Sequence, residues 1–105
     1  MIIATFKMQV TPKKRKELLQ TMLSIVEKVR QENECIKCHF YQDMEDINSF
    51  VLVEEWQNKR DLNRYLHSDQ FSLLNGAIRL LNESHKMQFN TILKQEPLSI
   101  CKGHK

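Results

Sequence analysis

The run Phe50-Val51-Leu52-Val53 constrains this chain more than any other stretch. Its residues favour strands, and in a strand successive side chains point to opposite sides. Both sides of this strand are therefore apolar, and both need cover. The chain has only 105 residues. That is enough for one domain and one modest core, burying about 60–70% of the surface the unfolded chain exposes. Helices of the same chain can cover one side. Something else must cover the other.

The remaining elements follow from periodicity. Ile2, Ala4, Phe6, Met8 and Val10 alternate with Thr5, Lys7 and Gln9, which predicts a first strand. Thr11-Pro12 supplies an N-cap and a proline at the first helical position, where the missing N–H costs nothing. Leu18, Met22, Ile25 and Val29 then recur at helical spacing, widened by Leu19 and Val26, to an end near Glu32-Asn33. Lys13, Lys14, Arg15 and Lys16 oppose the dipole of that helix, and the sequence gives no reason for them. Cys35 to Asp43 reads as a second strand, Met44 to Asn48 as a turn, and Ser49 to Trp56 as a third strand.

Asn58 can cap a short helix reaching His67, and Ser68 a second one carrying Phe71, Leu74, Ile78 and Leu81. Lys86 to Lys94 reads as the last strand, with Met87, Phe89 and Leu93 on one face. Residues 1–95 form one domain in this reading. Residues 96–105, with Pro97 and Gly103, form a tail or a strap across a partner.

The order β-α-β-β-α-α-β defines an α+β, ferredoxin-like split βαβ arrangement. It sets helices on one face of a four-stranded antiparallel sheet. The opposite face stays bare although its central strand is apolar there too. A second copy packed sheet to sheet removes the conflict, so a homodimer is expected.

Composition trims the functional classes. The net charge is +3 and the basic residues are dispersed, so a nucleic-acid reader is not expected. No apolar run of about 20 residues suits a membrane span. The N-terminus reads as a strand and not as a leader, so a cytoplasmic location is expected. Three cysteines in a reducing compartment do not suggest a disulfide framework. Cys35-Ile36-Lys37-Cys38-His39 spells a c-type haem attachment motif, and Cys35 and Cys38 with Cys101 and His104 could make a zinc set. Residues three apart in a regular strand face opposite sides, so neither metal nor haem is expected there.

Four stretches, taken in order, resemble the antibiotic biosynthesis monooxygenase family. They are Val10-Thr11-Pro12, Val29 through Cys35 leading to Tyr41, Phe50 through Trp56, and Tyr65-Leu66-His67-Ser68-Asp69-Gln70-Phe71. The resemblance spans roughly residues 1–95. It implies a dimeric α/β barrel with a pocket between sheet and helices in each subunit. In such a pocket a quinol, phenol or enolisable aromatic is oxidised by O2 with no metal or flavin. The deprotonated substrate does the difficult chemistry, so the protein supplies a dry pocket, a proton acceptor and hydrogen bonds to the anion. Two departures stand out. Glu34 replaces a usual glycine, and Tyr65 replaces a histidine of many members. His67, two positions later, is turned by about 200° on a helix and does not substitute for it. The catalytic Asn, Trp and His of the haem-degrading branch fall on Phe6, Tyr65 and Asn75, which disfavours haem handling.

The candidate site residues follow from the resemblance. Trp56, Tyr41 and Phe71 are expected to contact substrate, and His39 and Tyr65 to handle the proton. Each has a plainer reading. Trp56 can be a core or interface aromatic, Tyr65 and Phe71 can simply pack, and His39 and Tyr41 can be strand-face residues. Glu54 and Glu55 point to opposite faces, and a buried carboxylate there could act as a base. A dimeric ligand-binding protein of the same fold, without catalysis, is the alternative function.

Overall fold

The computed structural model describes residues 1–93. The tail read over 96–105, with Cys101 and His104, lies outside the described residues. Strands β1 (Ile2–Val10), β2 (Cys35–Gln42), β3 (Ser49–Trp56) and β4 (Asn82–Thr91) form one antiparallel sheet in the order β2-β3-β1-β4. Helices α1 (Arg15–Val29), α2 (Lys59–Leu66) and α3 (Asp69–Leu81) complete the ferredoxin-like α+β fold. α1 packs on β2 and α3, α3 on β4, and α2 on the end of β3.

Alternation decides the two faces of the sheet. Ile2, Ala4, Phe6, Met8 and Val10 of β1 join Phe50, Leu52, Glu54 and Trp56 of β3 in the interior. Leu18, Met22, Val26 and Val29 of α1 and Leu74, Ile78 and Leu81 of α3 close over them. The helical stripe thus centres on Val26, with Ile25 only partly buried.

The opposite face carries no element of the described chain. Register aligns Lys37, Glu55, Ile3 and Asn90 in one row across it, then His39, Val53, Thr5 and Gln88, then Tyr41, Val51, Lys7 and Lys86. Ile3, Val51 and Val53 are half-buried in a single copy, and Tyr41 is exposed. β3 is therefore apolar on both sides, as its sequence requires.

Several boundaries differ from expectation. The chain enters α1 through a 3-10 turn (Pro12–Lys14), closed by the Lys14 N–H on the Thr11 carbonyl, and the Thr11 side chain caps nothing. Arg15 there donates to Asn48 Oδ1 at 2.7 Å, which ties the start of the helix to the β2–β3 turn. This contact gives one residue of the basic cluster a structural task. α1 ends at Val29, short of Glu32-Asn33. β2 ends one residue before Asp43, whose Oδ1 accepts from the Glu45 N–H to begin the turn. β4 begins at Asn82, directly after α3, and not at Lys86. Only Asn82 and Met87 of this edge strand are half-buried, so its first residues carry no apolar signal. Leu93 lies past its end, 94% exposed.

Both expected caps form. Asn58 accepts from the Asp61 N–H at 2.9 Å and Ser68 from the Phe71 N–H at 3.2 Å. Since the first holds α2, Asn58→Ala should cost about 1 kcal/mol in denaturant unfolding. An unchanged midpoint would show that packing alone fixes that helix.

Candidate active site

The site assembles where β3 ends. Glu54 and Trp56 are two residues apart and so share the helix-covered side. Register sets Glu54 between Cys38 of β2 and Ala4 of β1, with Phe89 of β4 beyond Ala4. Ala4 is the smallest side chain in that row, and it leaves the acid without a bulky neighbour on the β1 side.

α2 brings Tyr65 onto this row. Its ring stacks on Trp56, with centroids 4.5 Å apart and planes 28° from parallel. Its hydroxyl donates to Glu54 Oε2 at 3.1 Å, while Trp56 Nε1–H donates to Oε1 at 3.0 Å. Both carboxylate oxygens are thus held by aromatic donors. Glu54 is fully buried, Trp56 is 1% exposed and Tyr65 3%. The aromatic contacts continue outward from Tyr65 to Phe71 (5.4 Å), then to Phe6 (6.3 Å) and Phe89 (6.5 Å). Phe89 is 42% exposed. A continuous aromatic row therefore runs from the edge of the sheet to a buried acid.

Electrostatics follow from that burial. Desolvation pushes the Glu54 carboxyl up from 4.5 to about 7, overriding the lowering effect of its two hydrogen bonds. Burial, with the nearby Glu54 charge, also raises the Tyr65 phenol and pushes the Cys35 and Cys38 thiols up to about 12.

The structure divides the expected site residues. Trp56, Tyr65 and Phe71 come together on the helix side. His39 and Tyr41, 6.1 Å apart by centroid, stand on the bare face. The sheet separates them from Trp56, so the pairing of His39 with Tyr65 in one proton relay does not form. Glu54 lies at the centre in their place. Its alternation with Phe50, Leu52 and Trp56 was the available signal, but alternation does not say which side is buried. Glu55 takes the bare face, in register with Lys37.

The cysteines correct another expectation. A β-bulge at Ile36 shifts the register, so that Cys35 pairs with Trp56 and Cys38 with Glu54. Both cysteines therefore share the helix side, although residues three apart should oppose each other in a regular strand. Both are free thiols, Cys38 is buried, and the Cys35 thiol donates to the Lys37 carbonyl at 3.2 Å. Among the described residues no group of three or more His, Cys, Asp or Glu is arranged to hold a metal ion. Among them also, no helix is long and apolar enough to cross a membrane.

A ferredoxin-like sheet with an acid and an aromatic row under its helices defines the class, and comparison with known proteins gives the family. The model of the antibiotic biosynthesis monooxygenase family matches residues 1–74, and the chain belongs to that family. An uncharacterized protein of Synechocystis sp. is 30% identical over 70 residues, 67% of this chain and 48% of that protein. The chain thus spans about half the length of this curated relative. Among solved structures, an antibiotic biosynthesis monooxygenase superposes with a TM-score of 0.79 at 22% identity, covering 90% of this chain and 100% of that one. A Deinococcus radiodurans protein provisionally named for the same activity gives 0.86 at 18% identity, covering 94% and 99%. A conserved protein from Methanosarcina mazei gives 0.78 at 24%, covering 85% and 89%. At these identities the structural likeness concerns the fold.

Proposed function

We propose that this protein is a cofactor-independent monooxygenase that oxidises a small quinol, phenol or enolisable aromatic with O2. The observation that carries this reading is the aromatic row from Phe89 to Trp56, which ends at a buried acid between sheet and helices. Aromatic side chains of this kind stack flat rings and exclude water. Trp56, Tyr65 and Phe71 contact the substrate, and Tyr65 supplies a hydrogen bond to its oxygen.

The chemistry balances without a metal. The substrate loses a proton, and the resulting anion passes one electron to O2. Recombination of the radical pair forms a carbon–oxygen bond, and the peroxide loses water. For an enolisable ring CH2 the sum is loss of both hydrogens as water and gain of one carbonyl oxygen. The protein favours the anion by hydrogen bonding and keeps bulk water out.

The bare sheet face joins two copies in this proposal, with Val51, Val53 and Ile3 at its centre. His39 and Tyr41 stand on that face and not beside Trp56. A second reading has one observation in its favour: Trp56, Glu54 and Tyr65 are sealed from solvent. A dimeric protein that binds an aromatic ligand without oxidising it would suit such closure.

Oxygen uptake with a panel of quinols and anthrones separates the two. Wild type is expected to consume O2 with at least one of them, and Trp56→Ala to lose about 100-fold or more in rate. No uptake above the Trp56→Ala control on any compound would leave the binding protein as the reading.

A further inference from the structure

We infer that Glu54 is the group that takes the substrate's proton, and that the site therefore accepts uncharged hydroxyaromatics and rejects carboxylated or phosphorylated ones. This rests on the monooxygenase reading for its chemistry, but its binding half stands apart from it.

Geometry carries the argument. A proton acceptor must lie within hydrogen-bond reach of the group it deprotonates. Glu54 Oε2 already receives an O–H from a phenol, that of Tyr65, whose ring stacks on Trp56. A hydroxyaromatic that takes the place of the Tyr65 ring meets the same pair of features: an indole to stack on and a carboxylate to donate to. Among the described residues the histidine on this side of the sheet, His85, pairs in register with Met8 at the far end of β1 and is exposed. His39 faces the opposite side, and His67, at the end of α2, is exposed with its Nδ1 against the Asn63 carbonyl.

The surroundings decide the selectivity. Glu54 is bonded to two neutral donors, and among the described residues no cation pairs with it. The guanidinium of Arg30, which reaches β2, donates to the Cys38 carbonyl instead. A carboxylate or phosphate brought beside Glu54 would place two like charges in a dry site with nothing to offset them. A neutral phenol brings none.

The step itself is a single proton transfer. The substrate O–H bond breaks, its electron pair stays on the substrate oxygen, and the proton forms an O–H bond on Glu54 Oε2. Trp56 keeps its hydrogen bond to Oε1. The Tyr65 hydroxyl, no longer needed by the carboxylate, turns to donate to the new oxyanion. The groups that face Glu54 are Tyr65 from α2 and Cys35 and Cys38 from β2, while β1 contributes only Ala4. The phenol and both thiols are held neutral by burial, so Glu54 is the member of the cluster that titrates near neutrality.

The test pairs two ligands of one shape, 2-naphthol and 2-naphthoate, titrated by calorimetry into wild type, Glu54→Gln and Glu54→Asp. Wild type is expected to bind the naphthol at least tenfold more tightly than the naphthoate. Glu54→Gln should erase that preference, and Glu54→Asp, which keeps the charge, should retain it. Equal binding of both ligands by wild type, binding of neither, or an unchanged preference in Glu54→Gln would overturn the inference. On any compound that supports oxygen uptake, kcat/KM should rise with pH through about 7. Glu54→Gln should lose that limb and about 100-fold or more in rate. Uptake that survives Glu54→Gln with its pH profile intact would remove Glu54 as the base and leave the monooxygenase reading standing. Naphthol selectivity without any oxygen uptake would remove the monooxygenase reading and leave the binding selectivity alone standing.

Discussion

Glu54→Gln is expected to make the protein more stable than wild type above about pH 8, yet no more stable below pH 4.5. In the folded protein the Glu54 carboxyl holds its proton up to about 7, against 4.5 for the free group. Between those values the folded state binds more protons than the unfolded one, so stability falls as pH rises. The contribution is complete below pH 4.5 and is lost once pH passes about 7. At about 1.4 kcal/mol per pH unit, the loss is as much as about 3 kcal/mol. Glutamine has no charge to desolvate. Its carbonyl can accept from Trp56, and its amide can donate to the Tyr65 oxygen.

Urea unfolding of both proteins from pH 4.5 to 8.5 checks this, since their difference isolates position 54 from all other titrating groups. Curves that run parallel across the range would mean that the carboxylate is not desolvated as described. Glu54→Leu makes a useful contrast. It strands the Trp56 N–H and the Tyr65 O–H in the interior at about 1–3 kcal/mol each, so it should be destabilising at every pH.

The second large effect concerns assembly. Val53→Glu should convert a dimer into a folded monomer at micromolar concentration. Val53 sits mid-row on the bare face, between His39 and Thr5 in register. In one copy it is half-buried, so a glutamate can reach water there and the fold survives. In two copies packed face to face the symmetry brings both new carboxylates into one dry contact, where unpaired charge costs several kcal/mol. Sedimentation equilibrium should return twice the chain mass for wild type and once for the variant, with matching circular dichroism. A monomeric wild type at that concentration would dispose of the proposed interface.

Much of the fold was legible because its signals are local. β3 spans Ser49–Trp56 as its composition indicates, and Asn58 and Ser68 cap the helices they precede. The sequence pattern starts β4 four residues late because an exposed edge strand need not alternate. Asn82 to Lys86 looks like loop, and only pairing with β1 makes it a strand. The bulge at Ile36 was invisible for a related reason. It is fixed by the partner strand and leaves no mark in the residues themselves, so alternation alone sets Cys35 opposite Cys38 where the structure puts both on one side.

The site was half legible. The resemblance led to Trp56, Tyr65 and Phe71, which meet. It did not separate His39 and Tyr41 from them, because sequence alone cannot say which face of β2 meets the helices. Glu54 and Glu55 were legible as acids on opposite faces, either of which could be the buried one. The importance of Glu54 comes from burial, and burial is a property of the assembled layers.

The alternation of β3 has a consequence for how this protein can evolve. Positions 50, 52, 54 and 56 serve the interior, while 49, 51, 53 and 55 face outward. Substitutions at either set are separable, so the buried cluster and the outer face can drift independently along a single ribbon of chain. Insertion or loss of one residue within it is another matter. Such a slip would exchange the two sets at a stroke, exposing the acid and its indole to water while turning the valines inward. Length, more than identity, is what this segment cannot surrender.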